Sequence, residues 1–234
     1  MIDGLGVEYS DDGKVLLKCP KTFQGNLEIP LGVTEIAGKA FWTCENLQAI
    51  QIPYTVTKIG EGAFAGCTSL IFIQLPPSAK KLNDCTFLDC SRLETVIMGD
   101  GIKSIGKYAF SGCTNLNNID IPTSTISIGE YAFEMCENLT RLDIPYKIKK
   151  IEKFTFSCCE KLCSVELHSG LRTIDVGAFE FCSSLKCLQI PPTVYSIRKN
   201  AFYGCSQLTM TLGRNFRSGI KRRGLHTCKH LNFV

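Results

Sequence analysis

Fourteen cysteines and three histidines are the side chains of this 234-residue chain best suited to act as nucleophiles, metal ligands or redox pairs. Nine of the cysteines stand 23 residues apart without a slip: Cys44, Cys67, Cys90, Cys113, Cys136, Cys159, Cys182, Cys205 and Cys228. Zinc wants paired spacings and four converging ligands, and no Cys-x-x-Cys pair occurs. If the 23-residue units stack in register, equivalent cysteines have parallel Cβ vectors about 4.8 Å apart, longer than the roughly 3.5 to 4.5 Å of a disulfide. The nine are therefore expected in the core, where a free cysteine behaves as a small hydrophobe. Cys19, Cys85, Cys158, Cys163 and Cys187 lie outside this ladder.

The histidines give little more. His168 stands where most units have proline and reads as an exposed turn residue. His226 and His230 flank Cys228, but a cysteine nucleophile needs an accessible thiolate and Cys228 is expected to point inward. No Gly-x-Ser-x-Gly and no Gly-x-x-x-x-Gly-Lys is present, and Gly4-x-Gly6 lacks the rest of a dinucleotide fingerprint. Catalytic residues, metal ligands and cofactors are each expected to be none, and an enzyme is a distant alternative.

The elements that carry these residues repeat with them. A phenylalanine precedes each of the first eight ladder cysteines by three residues, from Phe41 to Phe202, and a leucine follows all nine by three, from Leu47 to Leu231. Fixed periods in this range mark solenoids, whose units cover one another's apolar faces. Leu47 to Pro53 alternates apolar and polar residues and ends at a proline, which predicts a short strand with one buried face. Nine such strands pair in parallel into a sheet about 40 Å long. The Ala-Phe-x-x-Cys segment predicts one helical or 3₁₀ turn, and Val56 to Ile59 a second short strand.

The unit Ile-Pro-x-x-Val-x-x-Ile-Gly-x-x-Ala-Phe-x-x-Cys-x-x-Leu-x-x-Ile resembles the 23-residue leucine-rich repeat of the BspA-like, or treponemal, class over about residues 27 to 234. Tyr9 to Leu17, with its Asp12-Gly13 turn, is similar to the hairpin that precedes such arrays. The resemblance implies an α/β fold: a right-handed leucine-rich-repeat solenoid with a continuous parallel β-sheet on its concave face and short strand, 3₁₀ or helical turns on its convex side. It divides the single continuous domain into a capping hairpin (1–26), eight repeats (27–211) and an incomplete basic ninth repeat (212–234). Departures are local: Gly99 and His168 replace the strand-ending proline, Thr86 and Thr155 the small alanine, and Leu208 to Ile220 holds a compensated deletion and insertion. The family's implied role is recognition, typically adhesion by surface or secreted proteins. No secretory leader and no apolar run of membrane-spanning length stands in the chain, and many free thiols suit a reducing compartment, so the expected location stays divided.

Outward strand positions vary where the ladders do not, as in repeat scaffolds whose core is fixed and whose face is adapted. Ile71, Phe72 and Ile97 are expected to form an apolar cluster on the concave face, next to Gln74, Thr95 and Asn118. Further along, Asp120, Asp143 and Glu166 fall on successive strands, where like charges repel unless a partner's cation, a bound ion or Arg141 offsets them. Together these ten residues predict a groove for a protein or peptide ligand. The alternative lies at the other end. No acidic residue follows Glu180, so residues 181–234 carry +9 and residues 1–180, with 17 cations and 22 carboxylates, carry −5. Arg214, Arg217, Lys221, Arg222, Arg223 and Lys229 are expected to bind a polyanion such as nucleic acid, glycan or anionic lipid, or to support head-to-tail self-association.

Overall fold

The computed structural model describes residues 1–213, 216 and 218–233. The chain winds through about nine turns, and each turn contributes to two rows of parallel strands. The first, longer row comprises β3 (Gly25–Glu28), β5 (Leu47–Gln51), β7 (Phe72–Gln74), β9 (Thr95–Ile97), β11 (Asn118–Ile119), β13 (Arg141–Asp143), β15 (Ser164–Glu166), β17 (Cys187–Gln189), β19 (Thr209–Leu212) and β20 (His230–Phe233). The second row holds two-residue strands: β4 (Glu35–Ile36), β6 (Lys58–Ile59), β8 (Lys81–Leu82), β10 (Ser104–Ile105), β12 (Ser127–Ile128), β14 (Lys150–Ile151), β16 (Thr173–Ile174) and β18 (Ser196–Ile197). Before them, β1 (Glu8–Tyr9) pairs antiparallel with β2 (Val15–Lys18), and β2 joins the second row beside β4.

The ladder residues fill the space between the rows. The rings of Phe41, Phe64, Phe87, Phe110, Phe133, Phe156, Phe179 and Phe202 form one column with centroids 5.0 to 5.5 Å apart. All eight are fully buried. Beside this column, the Sγ–H of each cysteine from Cys67 to Cys205 donates to the carbonyl of the phenylalanine 26 residues earlier, at 3.0 to 3.2 Å. The substitutions of alanine by Thr86 and Thr155 keep their hydroxyls satisfied, by Asn83 O at 2.7 Å and Glu152 O at 3.0 Å.

Two expectations are corrected. The Ala-Phe-x-x-Cys segment is a run of tight turns and contains no helix. Two residues of each turn, four apart, have left-handed backbone: Lys39, Gly62, Cys85, Tyr108, Tyr131, Phe154, Gly177 and Asn200 in one column, Thr43, Gly66, Asp89, Gly112, Met135, Cys158, Phe181 and Gly204 in the other. Such residues cannot sit inside a right-handed helix. The N–H groups a helix would use internally point to the next turn instead: Phe41 donates to Ala63 O at 2.7 Å, Phe64 to Thr86 O at 2.9 Å and Phe87 to Ala109 O at 2.8 Å. Secondly, the long-strand sheet is not continuous but divides into two five-stranded halves between β11 and β13. The ladder stops just short of Asp120, and one backbone bond, from Thr140 N–H to Asn117 O at 3.2 Å, still joins the two turns.

In several turns the strand of the second row is followed by a glycine lying against the turn before it. A Cβ on Gly129 would come within 2.6 Å of the Lys107 nitrogen, whereas one on Gly32 would meet nothing within 4 Å. Gly129→Ala is therefore expected to lower the urea midpoint by the equivalent of about 1–3 kcal/mol, the usual cost of overpacking, while Gly32→Ala leaves it nearly unchanged.

Candidate functional site

All fourteen cysteines are free. Eight of the nine in the ladder are buried, and burial raises the pKa of Cys90, Cys113, Cys136, Cys159, Cys182 and Cys205 well above the ordinary 9.0. The ninth departs from expectation. Cys228 is half-buried, its pKa pushed up to about 11 by burial, and the hydroxyl of Thr227, which closes a 3₁₀ turn at Leu225–Thr227, donates to Gly224 O at 2.8 Å and lies 3.3 Å from Phe202 O, the acceptor of the missing rung. Outside the ladder, Cys19 is buried, Cys85 and Cys158 half-buried, and Cys163 and Cys187 exposed. Among the described residues no three His, Cys, Asp or Glu side chains converge to hold a metal ion, and no helix is long and apolar enough to cross a membrane.

The long-strand face brings most of its expected residues together. Phe72 pairs with Ala49 on one side and Thr95 on the other, and Gln74 pairs with Ile97. Asn118 continues the Thr95 row, and beyond the break Arg141 pairs with Ser164 and Asp143 with Glu166. Ile71, Phe72 and Ile97 are 38%, 42% and 46% exposed. Sequence reasoning missed Tyr54, whose ring is 70% exposed just past the end of β5. With Phe72, Gln74, Pro76 and Pro77 it lines a cleft of about 380 Å³. An exposed aromatic after the strand-ending proline was its only signal.

The acidic row is partly met from within. Arg141 Nη2 lies 2.8 Å from Glu166 Oε1, and His168 Nε2 lies 2.7 Å from Asp143 Oδ1. His168 is thus more than an exposed turn residue: it crosses to the preceding turn and meets a carboxylate there. Asp120 alone of the three has no ion pair among the described residues.

At the basic end, Lys221, Arg222 and Lys229 are exposed, while Arg223 is half-buried. Arg214 and Arg217 lie outside the described residues. The Arg223 guanidinium lies 5.5 Å over the Phe216 ring. That ring is 3% exposed, so it anchors Arg223 and offers no platform to a ligand. A second electrostatic feature went unread. Asp175, only 1% exposed, is held by Lys150 Nζ at 2.7 Å and by its neighbour's N–H at 2.7 Å, with Arg198 Nε at 3.6 Å. Burial alone would raise its pKa; the bonds from Lys150 and Val176 N–H and the charge of Arg198 hold it below the ordinary 3.8.

A parallel two-row solenoid with a phenylalanine–cysteine core defines a leucine-rich-repeat protein. The BspA type leucine rich repeat region model matches residues 20–103 and 80–209, in six copies. This chain belongs to that family. It is similar to the structure of a leucine-rich repeat protein from Bacteroides ovatus, with a TM-score of 0.73 and 25% identity over 100% of this chain and 76% of that one. It is also similar in fold to the Treponema pallidum leucine rich repeat protein, with a TM-score of 0.68 and 24% identity over 93% and 92% of the two chains. No curated protein matches the chain.

The burial of the thiols fixes their reactivity. In the native protein a thiol reagent such as DTNB is expected to modify Cys163 and Cys187 rapidly and the eight buried ladder cysteines only on unfolding, and denaturation without reductant should release all fourteen. Fewer than about ten would contradict the stacked-ladder geometry. A second expectation concerns Asp175. Because its pKa is depressed on folding, its contribution to stability is present above the unfolded value and is lost as pH falls through the folded one. Asp175→Asn should cost about 1–3 kcal/mol at pH 7, with the gap to wild type narrowing below about pH 4. A gap independent of pH would mean that Asp175 matters by shape and hydrogen bonding, not charge.

Proposed function

We propose that the long-strand face recognises a protein or peptide, with Phe72, Ile97 and Ile71 as the apolar anchor and the charged pairs of Arg141, Asp143, Glu166 and His168 as a polar register beside it. Exposed Phe72 and Ile97 carry this reading. They are large apolar side chains left in solvent on strands whose other outward positions are polar, and contiguous apolar exposure of this kind marks contact sites. The Tyr54 cleft beside Phe72 gives a partner side chain a place to enter. Membership of a repeat family whose relatives include bacterial leucine-rich repeat proteins supports a binding role over a catalytic one.

The test is affinity capture with quantitative mass spectrometry on immobilised wild type and on Phe72→Ala/Ile97→Ser. Both side chains are partly exposed, so the variant's melting temperature should stay close to that of the wild type. A specific partner is expected to be enriched on wild type and to bind the variant about thirtyfold more weakly, the loss of roughly 2 kcal/mol typical of a central anchor. Partners retained equally by both proteins would remove this face from consideration.

A further inference from the structure

Stacking puts equivalent residues of consecutive turns side by side, and along one edge of the second row it does so with charges. The column reads Glu61, Asp84, Lys107, Glu130 and Lys153, alternating in sign from Asp84 onward. Lys107 satisfies both neighbours: its N–H donates to Asp84 Oδ1 at 2.9 Å and its ammonium lies 3.1 Å from Glu130 Oε2. Val176 then interrupts the column, and the next two turns supply Lys199 and Arg222. The Asn200 N–H donates to Arg222 O at 3.0 Å, which holds these two turns in register. Two cations thus occupy neighbouring places, and neither has a carboxylate partner among the described residues. Like charges so placed are destabilising.

Where the small Val176 leaves room, a cleft of about 390 Å³ opens, bounded by Arg198, Lys199, Arg222 and Arg223, with Ser196 on its wall. Arg223 is fixed in place: its Nε donates to Ile197 O at 3.1 Å and its guanidinium rests over Phe216. Arg198 leans toward Asp175 at 3.6 Å and keeps donors to spare. Guanidinium forks bind tetrahedral oxyanions through paired hydrogen bonds, an ammonium adds a point charge, and a concave cationic surface concentrates anions.

We propose that this cleft is a binding site for a tetrahedral oxyanion, phosphate or sulfate, taken as the free ion or as an ester group of a larger ligand. An anion between Lys199 and Arg222 restores the plus–minus–plus order that Asp175 provides between Lys150 and Arg198 one column away. The site shares no residue with the long-strand face, and its fate is independent of the peptide-binding reading.

The experiment is titration of the full chain with sodium phosphate, sodium sulfate and a heparin tetrasaccharide by calorimetry at about 50 mM chloride, repeated at about 200 mM. Wild type is compared with Lys199→Ser/Arg222→Ser and with Lys221→Ser/Lys229→Ser, which removes the same charge outside the cleft. All four side chains are exposed, and the cleft pair enters the turn-to-turn bonding through backbone carbonyls alone, so both variants are expected to fold. Saturable, mutually competitive binding of phosphate and sulfate is expected, weaker at the higher salt. It should fall about tenfold or more in Lys199→Ser/Arg222→Ser, a loss of one or two charge-assisted bonds, and change less than about twofold in the control. Tighter binding of the tetrasaccharide than of free sulfate would identify an ester-bearing ligand, and equal binding the free ion. Absence of saturable binding to wild type, or equal losses in both variants, would overturn the site and leave only net charge.

Discussion

Every feature of this molecule answers to one constraint: whatever one turn places at a given angle, the next turn must accept about 5 Å further on. Flat aromatic rings meet that condition, and the eight phenylalanines stack with centroids at most 5.5 Å apart. Cysteine meets it for another reason. Its side chain is small enough to lie beside the rings, and its weak donor is satisfied by a carbonyl of the turn before, so the column is filled without an unsatisfied polar group. Where the last ladder cysteine is only half-buried, the Thr227 hydroxyl lies 3.3 Å from the waiting carbonyl while making its shorter bond to Gly224 O. The acceptor is fixed by the backbone; the donor can be exchanged.

The same constraint is unfavourable for charge, since a repeated charged position becomes a column of like charges. The solenoid shows two internal remedies. One is alternation, as in Asp84, Lys107 and Glu130, where the Lys107 ammonium meets Glu130 and its backbone N–H meets Asp84. The other is a buried carboxylate shared between turns, as Asp175 is between Lys150 and Arg198. On the long-strand face a version of the first remedy joins Arg141 to Glu166, while His168 gives Asp143 a hydrogen-bond contact. The chain uses neither at Lys199 and Arg222, because no acidic residue follows Glu180 from which a remedy could be built.

What was legible in the sequence, and what was not, follows from how contacts are encoded. The 23-residue period, the inward ladders and both strand rows could be read directly, since each is a pattern repeated in type at fixed spacing. The turns between Phe and Cys could not. Their left-handed positions are occupied by Lys39, Tyr108, Met135 and Phe181 as well as by Gly62 and Gly204, and a conformation shared by such unlike residues leaves only a partial glycine trace. Exposed residues were located, and Arg141 was read as an offset to the acidic row, but the contact of His168 was not. Asp143 and His168 are 25 residues apart in sequence, a separation that becomes contact only because His168 stands two places past the residue stacked directly on Asp143. The break between β11 and β13 was likewise invisible, since the apolar pattern runs through it undisturbed.

The strained turns bear on how the solenoid holds together. Each non-glycine residue in the left-handed region costs roughly 1–2 kcal/mol locally, and eleven of them lie in the turn segment. A single turn has less to set against that strain, since only part of the bonds that fix its conformation lie within it. The N–H groups of Phe41, Phe64 and Phe87 find their acceptors one turn ahead, and the cysteine thiols find theirs one turn behind. The conformation of each turn is therefore imposed by its neighbours, and the strain is tolerable only in a stack. This is the cooperative character expected of repeat arrays, where nearest-neighbour interfaces, more than the units themselves, carry the stability. It also explains how the surface can vary so freely. With the backbone of every turn clasped between two others, outward positions can change from Phe72 to Thr95 to Asn118 along one row without altering the frame that presents them.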